Sequence, residues 1–222
     1  MKLYGVAFSP YAQRCLMVAR AKGHDLALLP PPPDGDWRSP AYRAINPLAK
    51  LPCLDDGGFI LPESGPIADY LDAVLPGPSL WPADPRARAR AAFAARMVDV
   101  EIGPGVSMLL GHALFGMGGE DAVARAMRRV ARGLGAIAHF RDAAARWAQD
   151  DRFGHADAAL MPMLAVCDRF GDPAAIRADA GLAAYRDRAL GSDAGRRMAG
   201  EMAASFDAFL ARPLAARGRI GQ

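Results

Sequence analysis

The chain has 222 residues, 52% hydrophobic and 23% charged, with a formal net charge of +3. That composition excludes a disordered chain, and the length suits one large domain or two modest ones. Only Lys2, Lys22 and Lys50 among the 27 basic residues are lysines, and the arginines are dispersed, so no nucleic-acid partner is expected.

Lys2 to Phe8 is a short apolar run with β character. Ser9-Pro10 follows, and Tyr11 to Lys22 has a helical apolar face (Cys15, Leu16, Val18, Ala19) ended by Gly23. A second strand is expected over Leu26 to Leu29. Pro30 to Pro33 with Asp34-Gly35 must be a loop, and Trp37 to Ile45 reads as a short helix interrupted by Pro40. Leu51, Cys53 and Leu54, then Phe59, Ile60 and Leu61, flank Asp55-Asp56-Gly57-Gly58, the turn chemistry of a β-hairpin. Pro52 opens the first of these runs, where a cis peptide forms a tight turn. Glu63-Ser64 precedes Pro66 and the spacing Ile67, Leu71, Val74, a helix expected to be capped by Ser64 and to offer a carboxylate-binding start.

A linker over 77–83 is rich in helix breakers and separates residues 1–76 from 84–222. Beyond it no stretch reads as a strand. Asp84-Pro85 opens an Ala/Arg-rich helix to about Ile102, where Gly103-Pro104-Gly105 should kink or break it. Glu120-Asp121 open a long helix with an apolar seam at Val123, Met127, Val130, Leu134 and Ile137. Residues 154–170 are apolar nearly all round, as expected at a bundle centre, and two more helices are expected near 180–190 and 193–211. The uncharged run Ile102 to Gly119 holds six glycines and Pro104, a poor membrane span. Cys15, Cys53 and Cys167 form no C-x-x-C, and the four histidines have no ligand spacing, so no metal site is expected. The amino terminus does not read as a signal peptide, and a reducing cytoplasm is the expected location.

The string Asn46-Pro47-x-x-Lys50-Leu51-Pro52, Glu63-Ser64 thirteen residues after Lys50, and then Ile67-x-x-Tyr70-Leu71 resembles the amino-terminal domain of the glutathione transferase superfamily. The resemblance implies an α/β thioredoxin-like domain over 1–76 followed by an all-α helical-bundle domain over 84–222. It further implies that the Leu51-Pro52 backbone pairs with the cysteinyl part of glutathione, that Glu63-Ser64 hold its γ-glutamyl end, and that Lys50 is a side-chain contact. Gly154-x-Ala156-Asp157 is similar to the family's capping box, with Gly154 where a hydroxyl is usual. A homodimer is implied as well.

Ser9-Pro10-Tyr11-x-x-Arg14 is similar to the segment that carries the serine of serine-type transferases. A free thiol ionises near pH ~8.5 and only the thiolate attacks. A hydroxyl donating to sulfur, at the positive end of the helix that starts at Pro10, favours the charged form. Ser followed by Pro is also the ordinary start of a helix, so a capping role stands beside the catalytic one. Tyr4 on the first strand is a rival activator for which core packing is the plainer reading. Cys15 would serve a redox variant and otherwise belongs to the core. Arg38 is assigned to the glycyl carboxylate. Tyr11, Met108 and His112, with Met97 on the same helical stretch, are assigned to the second substrate. The expected reaction is glutathione thiolate attack on a small hydrophobic electrophile, as in detoxification. The alternatives are an isomerase, dehalogenase or lyase on the same scaffold, or a non-catalytic binding protein.

Overall fold

The computed structural model describes residues 1–32, 35–142, 145–172 and 174–213, without the side chain of Ala175. Pro33 and Asp34 of the expected proline loop lie outside the described residues. Contacts divide the chain into two units, one comprising Met1–Pro78 with the stretch from Gly200 onward, the other Ser79–Ala199.

In the first unit, β1 (Lys2–Tyr4), β2 (Ala27–Leu29), β3 (Cys53–Asp56) and β4 (Phe59–Pro62) form one sheet in the order β2-β1-β3-β4. β1 runs parallel to β2, with α1 (Pro10–Ala21) between them in sequence, and antiparallel to β3. This is the thioredoxin-like order, and its register sets Leu3 opposite Leu28 and Leu54. Gly57 and Gly58, at φ 61° and 97°, turn the β3–β4 hairpin, as the Asp/Gly sequence predicts. α2 (Pro40–Ile45) begins at Pro40 instead of being interrupted by it. Ser39 Oγ accepts from Tyr42 N at 3.1 Å, and a proline in the first turn removes only a donor with no helical partner. α3 (Ser64–Val74) packs along α1, burying Leu16, Ala19, Ile67, Ala68 and Leu71. Lys22 at the end of α1 is buried, and its Nζ donates to Asp72 O and Oδ1, Gly77 O and Pro78 O at 2.9–3.0 Å.

The second unit contains helices and no strand among its described residues. α4 (Pro85–Met97) passes through a π-helical turn (Val98–Ile102) into α5 (Gly103–Phe115) with helical dihedrals at each junction, so the expected break at Gly103-Pro104-Gly105 does not occur. Pro104 has no N–H for the carbonyl of Val100 four residues earlier. Arg129 donates to that carbonyl instead, at 2.7 Å, from α6 (Glu120–Phe140). Gly105 admits α6 closely, since a Cβ there would lie 2.8 Å from Ala126 O and from Val130 Cγ2.

α7 (His155–Phe170) is buried along most of its length and is followed by α8 (Ala174–Arg177), α9 (Ala180–Leu190) and α10 (Asp193–Leu210). Its first turn is closed by Asp157, which accepts from Gly154 N at 3.0 Å, Ala148 N at 2.9 Å and the Tyr185 hydroxyl at 2.9 Å. The structure explains why glycine stands at 154: a Cβ there would lie 2.7 Å from Leu80 O. The boundary between the two units falls within α10.

Candidate functional site

Three chain segments of the first unit build the candidate site, and α1 is the element they share. After β1, Gly5 N donates to Leu29 O at 2.8 Å and Ser9 N to Val6 O at 3.0 Å, which turns the chain into α1. Ser9 is the N-cap. Its Oγ accepts from Ala12 N at 3.3 Å, with Pro10 in the first turn. The cap uses the oxygen as an acceptor and leaves the hydroxyl proton for another partner, so capping and thiol activation are compatible in one side chain.

The second segment is Lys50-Leu51-Pro52, with the Leu51–Pro52 peptide cis. Lys50 is exposed and Leu51 half-buried. The Lys50 carbonyl accepts two hydrogen bonds of 2.9 Å, from the Tyr42 hydroxyl and from Asn46 Nδ2, while Asn46 Oδ1 accepts from Leu48 N at 3.1 Å. Both clamping residues are buried, and burial is the main cause of the Tyr42 hydroxyl's raised pKa. The segment meets α1 across Gly5: a Cβ on Gly5 would lie 3.2 Å from Ala12 Cβ and 4.0 Å from Pro52 Cβ.

The third segment is the start of α3. The expected Ser64 cap is corrected by one residue, because Ser64 is the first helical residue and Glu63 is the N-cap. Glu63 is exposed, sits at φ 71° and makes no side-chain bond to the turn it precedes. Ser64 is buried, and its carbonyl lies 3.7 Å from Cys15 Sγ on α1. The start of α3 is thus tied to the second turn of α1 through Cys15. Both helix dipoles place positive potential where a carboxylate or a thiolate gains most.

Other expected residues fall elsewhere. Arg38 is exposed in the turn before α2, its N donating to Asp36 Oδ1 at 2.9 Å. Tyr11 is half-buried on α1, and Tyr4 packs edge-on against Tyr42 with ring centroids 6.2 Å apart. Cys15 is fully buried and its thiol is pushed up to about 12 by burial, which keeps it a neutral packing group. In the second unit Met97 lies on α4, while Met108 and His112 are exposed one turn apart on α5. His112 Nδ1 is 3.3 Å from Met117 O. Among the described residues no three His, Cys, Asp or Glu side chains gather as a metal site, and no helix is long and apolar enough to cross a membrane.

Sequence reasoning missed Tyr42 as the donor that holds the Lys50 carbonyl. It had only a local signal to use, a Ser39-Pro40 helix start, and nothing in it linked position 42 to position 50.

Residues 3–79 match the family model described as glutathione S-transferase, N-terminal domain. The chain is 33% identical over 177 residues to a maleylacetoacetate isomerase of Pseudomonas aeruginosa, covering 77% of this chain and 83% of that protein. A crystal structure of a maleylacetoacetate isomerase from Methylobacterium extorquens AM1 with bound malonate and glutathione superposes with a TM-score of 0.74 at 29% identity, covering 89% of this chain and 95% of that one. A second structure, described as maleyl pyruvate isomerase, a bacterial glutathione S-transferase in Zeta class, has a TM-score of 0.75 at 26% identity, covering 89% and 96%.

Proposed function

Since the chain belongs to the glutathione transferase superfamily, we propose that it is a glutathione-dependent enzyme in which Ser9 stabilises the glutathione thiolate. The observation that carries this reading is the juncture of three segments on α1: the Ser9 cap, cis-Pro52 across Gly5, and Ser64 through Cys15. Glutathione has groups to suit each one. Its γ-glutamyl carboxylate takes the start of α3 at Glu63-Ser64, where no side chain of the cap closes the turn. The cysteinyl backbone pairs with Leu51 beside Pro52, with Lys50 as a further contact. The thiol faces the Ser9 hydroxyl, whose donated hydrogen bond and helix dipole both favour the charged sulfur. Arg38 is assigned to the glycyl carboxylate and Tyr11 to the second substrate. Within the second unit Met108 and His112 carry the same proposal.

Two fates of the thiolate are in play. In transfer it attacks an electrophilic carbon, expels a leaving group such as halide with the bonding electron pair, and the new C–S bond remains, so one glutathione is consumed per product. In cis–trans isomerisation it adds to an activated double bond, the resulting single bond rotates, and elimination returns both the double bond and the thiolate. Isomerisation of a maleyl-type substrate is favoured by one specific observation: the Pseudomonas aeruginosa protein 33% identical over 77% of this chain is a maleylacetoacetate isomerase, and the structures at 29% and 26% identity described above are isomerases as well. We also propose a homodimer, to be read from mass by light scattering.

Calorimetry with glutathione tests the first reading, wild type beside Ser64→Ala and Ser9→Ala. Binding weakened about tenfold in Ser64→Ala, and binding kept but thiolate absorbance lost in Ser9→Ala, is the expected result. A folded wild type that does not bind glutathione sinks it in favour of a scaffold role. Turnover of maleylacetoacetate with glutathione unconsumed selects isomerisation, whereas stoichiometric loss of free thiol with an aryl halide alone selects transfer.

A further inference from the structure

Gln13 lies on the first turn of α1, fully buried, four residues past Ser9. Its amide nitrogen donates to Ala7 O at 2.9 Å and to Glu201 Oε2 at 3.3 Å, one bond for each of its two hydrogens. Both neighbours are acceptors, which fixes the amide orientation with nitrogen toward them. Ala7 sits inside the turn closed by Ser9 N and Val6 O, so this bond holds the turn that presents Ser9 from within. Phe8 of the same turn is stacked on Phe206 and edge-on to Phe209, with ring centroids 5.2 Å apart in each pair. Glu201, Phe206 and Phe209 all lie on the part of α10 that belongs to the first unit. Glu201 is itself anchored by Arg20 of α1, at 2.8 Å.

We propose that Gln13 is a positioning residue for Ser9, working together with Glu201, near the middle of α10, to hold the Val6–Ser9 turn. The proposal rests on the reading that Ser9 stabilises the glutathione thiolate. The physical reason is that a hydroxyl favours a thiolate only when its proton points at sulfur, and a turn free to shift by a fraction of an ångström misaligns that bond. Burying a glutamine here has a price, since its Oε1 is buried without a hydrogen-bond partner. A methionine would fill the same space without that loss, so packing alone does not account for the amide.

The test compares wild type, Gln13→Met, Glu201→Ala and Ser9→Ala, each loaded with glutathione. Thiolate absorbance is followed against pH, with the glutathione Kd measured on each protein and folding checked by circular dichroism. Gln13→Met is expected to raise the pH midpoint of the bound thiol by about one unit, a tenfold loss of thiolate near neutrality, with Kd within about threefold. Glu201→Ala moves it the same way by less, and serves alone if Gln13→Met does not fold. A merely structural role would lower the melting temperature and leave that midpoint in place. If Ser9→Ala raises the midpoint and neither other variant does, the proposal is overturned. If Ser9→Ala leaves it unmoved, the Ser9 reading itself has failed, and this proposal falls with it.

Discussion

At the start of α7 the chain supplies its own anion, and at the start of α3 it does not. Any helix start leaves backbone N–H groups without intrahelical acceptors. Asp157 meets that need at α7 from a buried position, where one carboxylate serves Gly154 N, Ala148 N and the Tyr185 hydroxyl. Glu63 at α3 is exposed, makes no side-chain bond to the turn and holds φ at 71°. A start filled from within is a structural joint, whereas an open one gains most from a carboxylate that arrives from outside. Left-handed backbone at a residue with a side chain costs about 1 kcal/mol or more and is found where ligands are clamped.

The largest expected effect falls on the closed start. Asp157→Ala leaves two buried donors and one half-buried donor without this acceptor and should lower unfolding free energy by at least ~3 kcal/mol, read by urea denaturation. A loss below ~1 kcal/mol would break the contrast. Acidity sharpens the same point. Burial is the main cause that raises the Asp157 carboxyl from 3.8 to about 6, against the hydrogen bonds that lower it. The folded chain then holds that proton more tightly than the unfolded one between those values. Its contribution to stability therefore falls as pH rises from 3.8 to about 6 and is level above. The stability of wild type relative to Asp157→Asn should decline by ~1–3 kcal/mol across that window, measured by denaturation at a series of pH values. A flat difference would show that the hydrogen bonds balance burial, and a rise with pH that they outweigh it.

Effects at the open start should appear in ligand affinity more than in stability. Ser64→Ala should weaken glutathione binding about tenfold, some 1.4 kcal/mol. Stability should move by less than ~0.5 kcal/mol, since the hydroxyl is not the cap. Equal losses in both measurements would make α3 a joint like α7. Smallest of all is the stability change in Glu63→Gly. Glycine relieves the left-handed backbone and loses more freedom on folding, two terms of about 1 kcal/mol and opposite sign. A melting curve within the equivalent of ~0.5 kcal/mol of wild type is expected.

Much of this molecule was legible where the governing physics acts over a few residues. The Asp/Gly hairpin turn, the Ser-Pro start of α1, the Asp84-Pro85 start of α4 and the seam of α6 follow from turn dihedrals, capping and the helical period. Spacing among Asn46, Lys50, Pro52, Glu63 and Ser64 pointed to the family before any contact was known. Local rules place the α3 cap at Ser64, a favoured N-cap residue, and only the backbone path out of β4 sets the cap one residue earlier, at Glu63. The Lys22 ammonium has no partner within its own helix, and Asp72, Gly77 and Pro78 close around it. Pro104 reads as a break until Arg129 supplies the missing donor to Val100. Gly154 reads as a weakened cap until the Leu80 carbonyl occupies the space of its side chain. Gln13 has no visible task until Glu201, 188 positions away, comes within 3.3 Å. In each case the deciding partner lies beyond the reach of a helical turn or a hairpin, and packing alone brings it there.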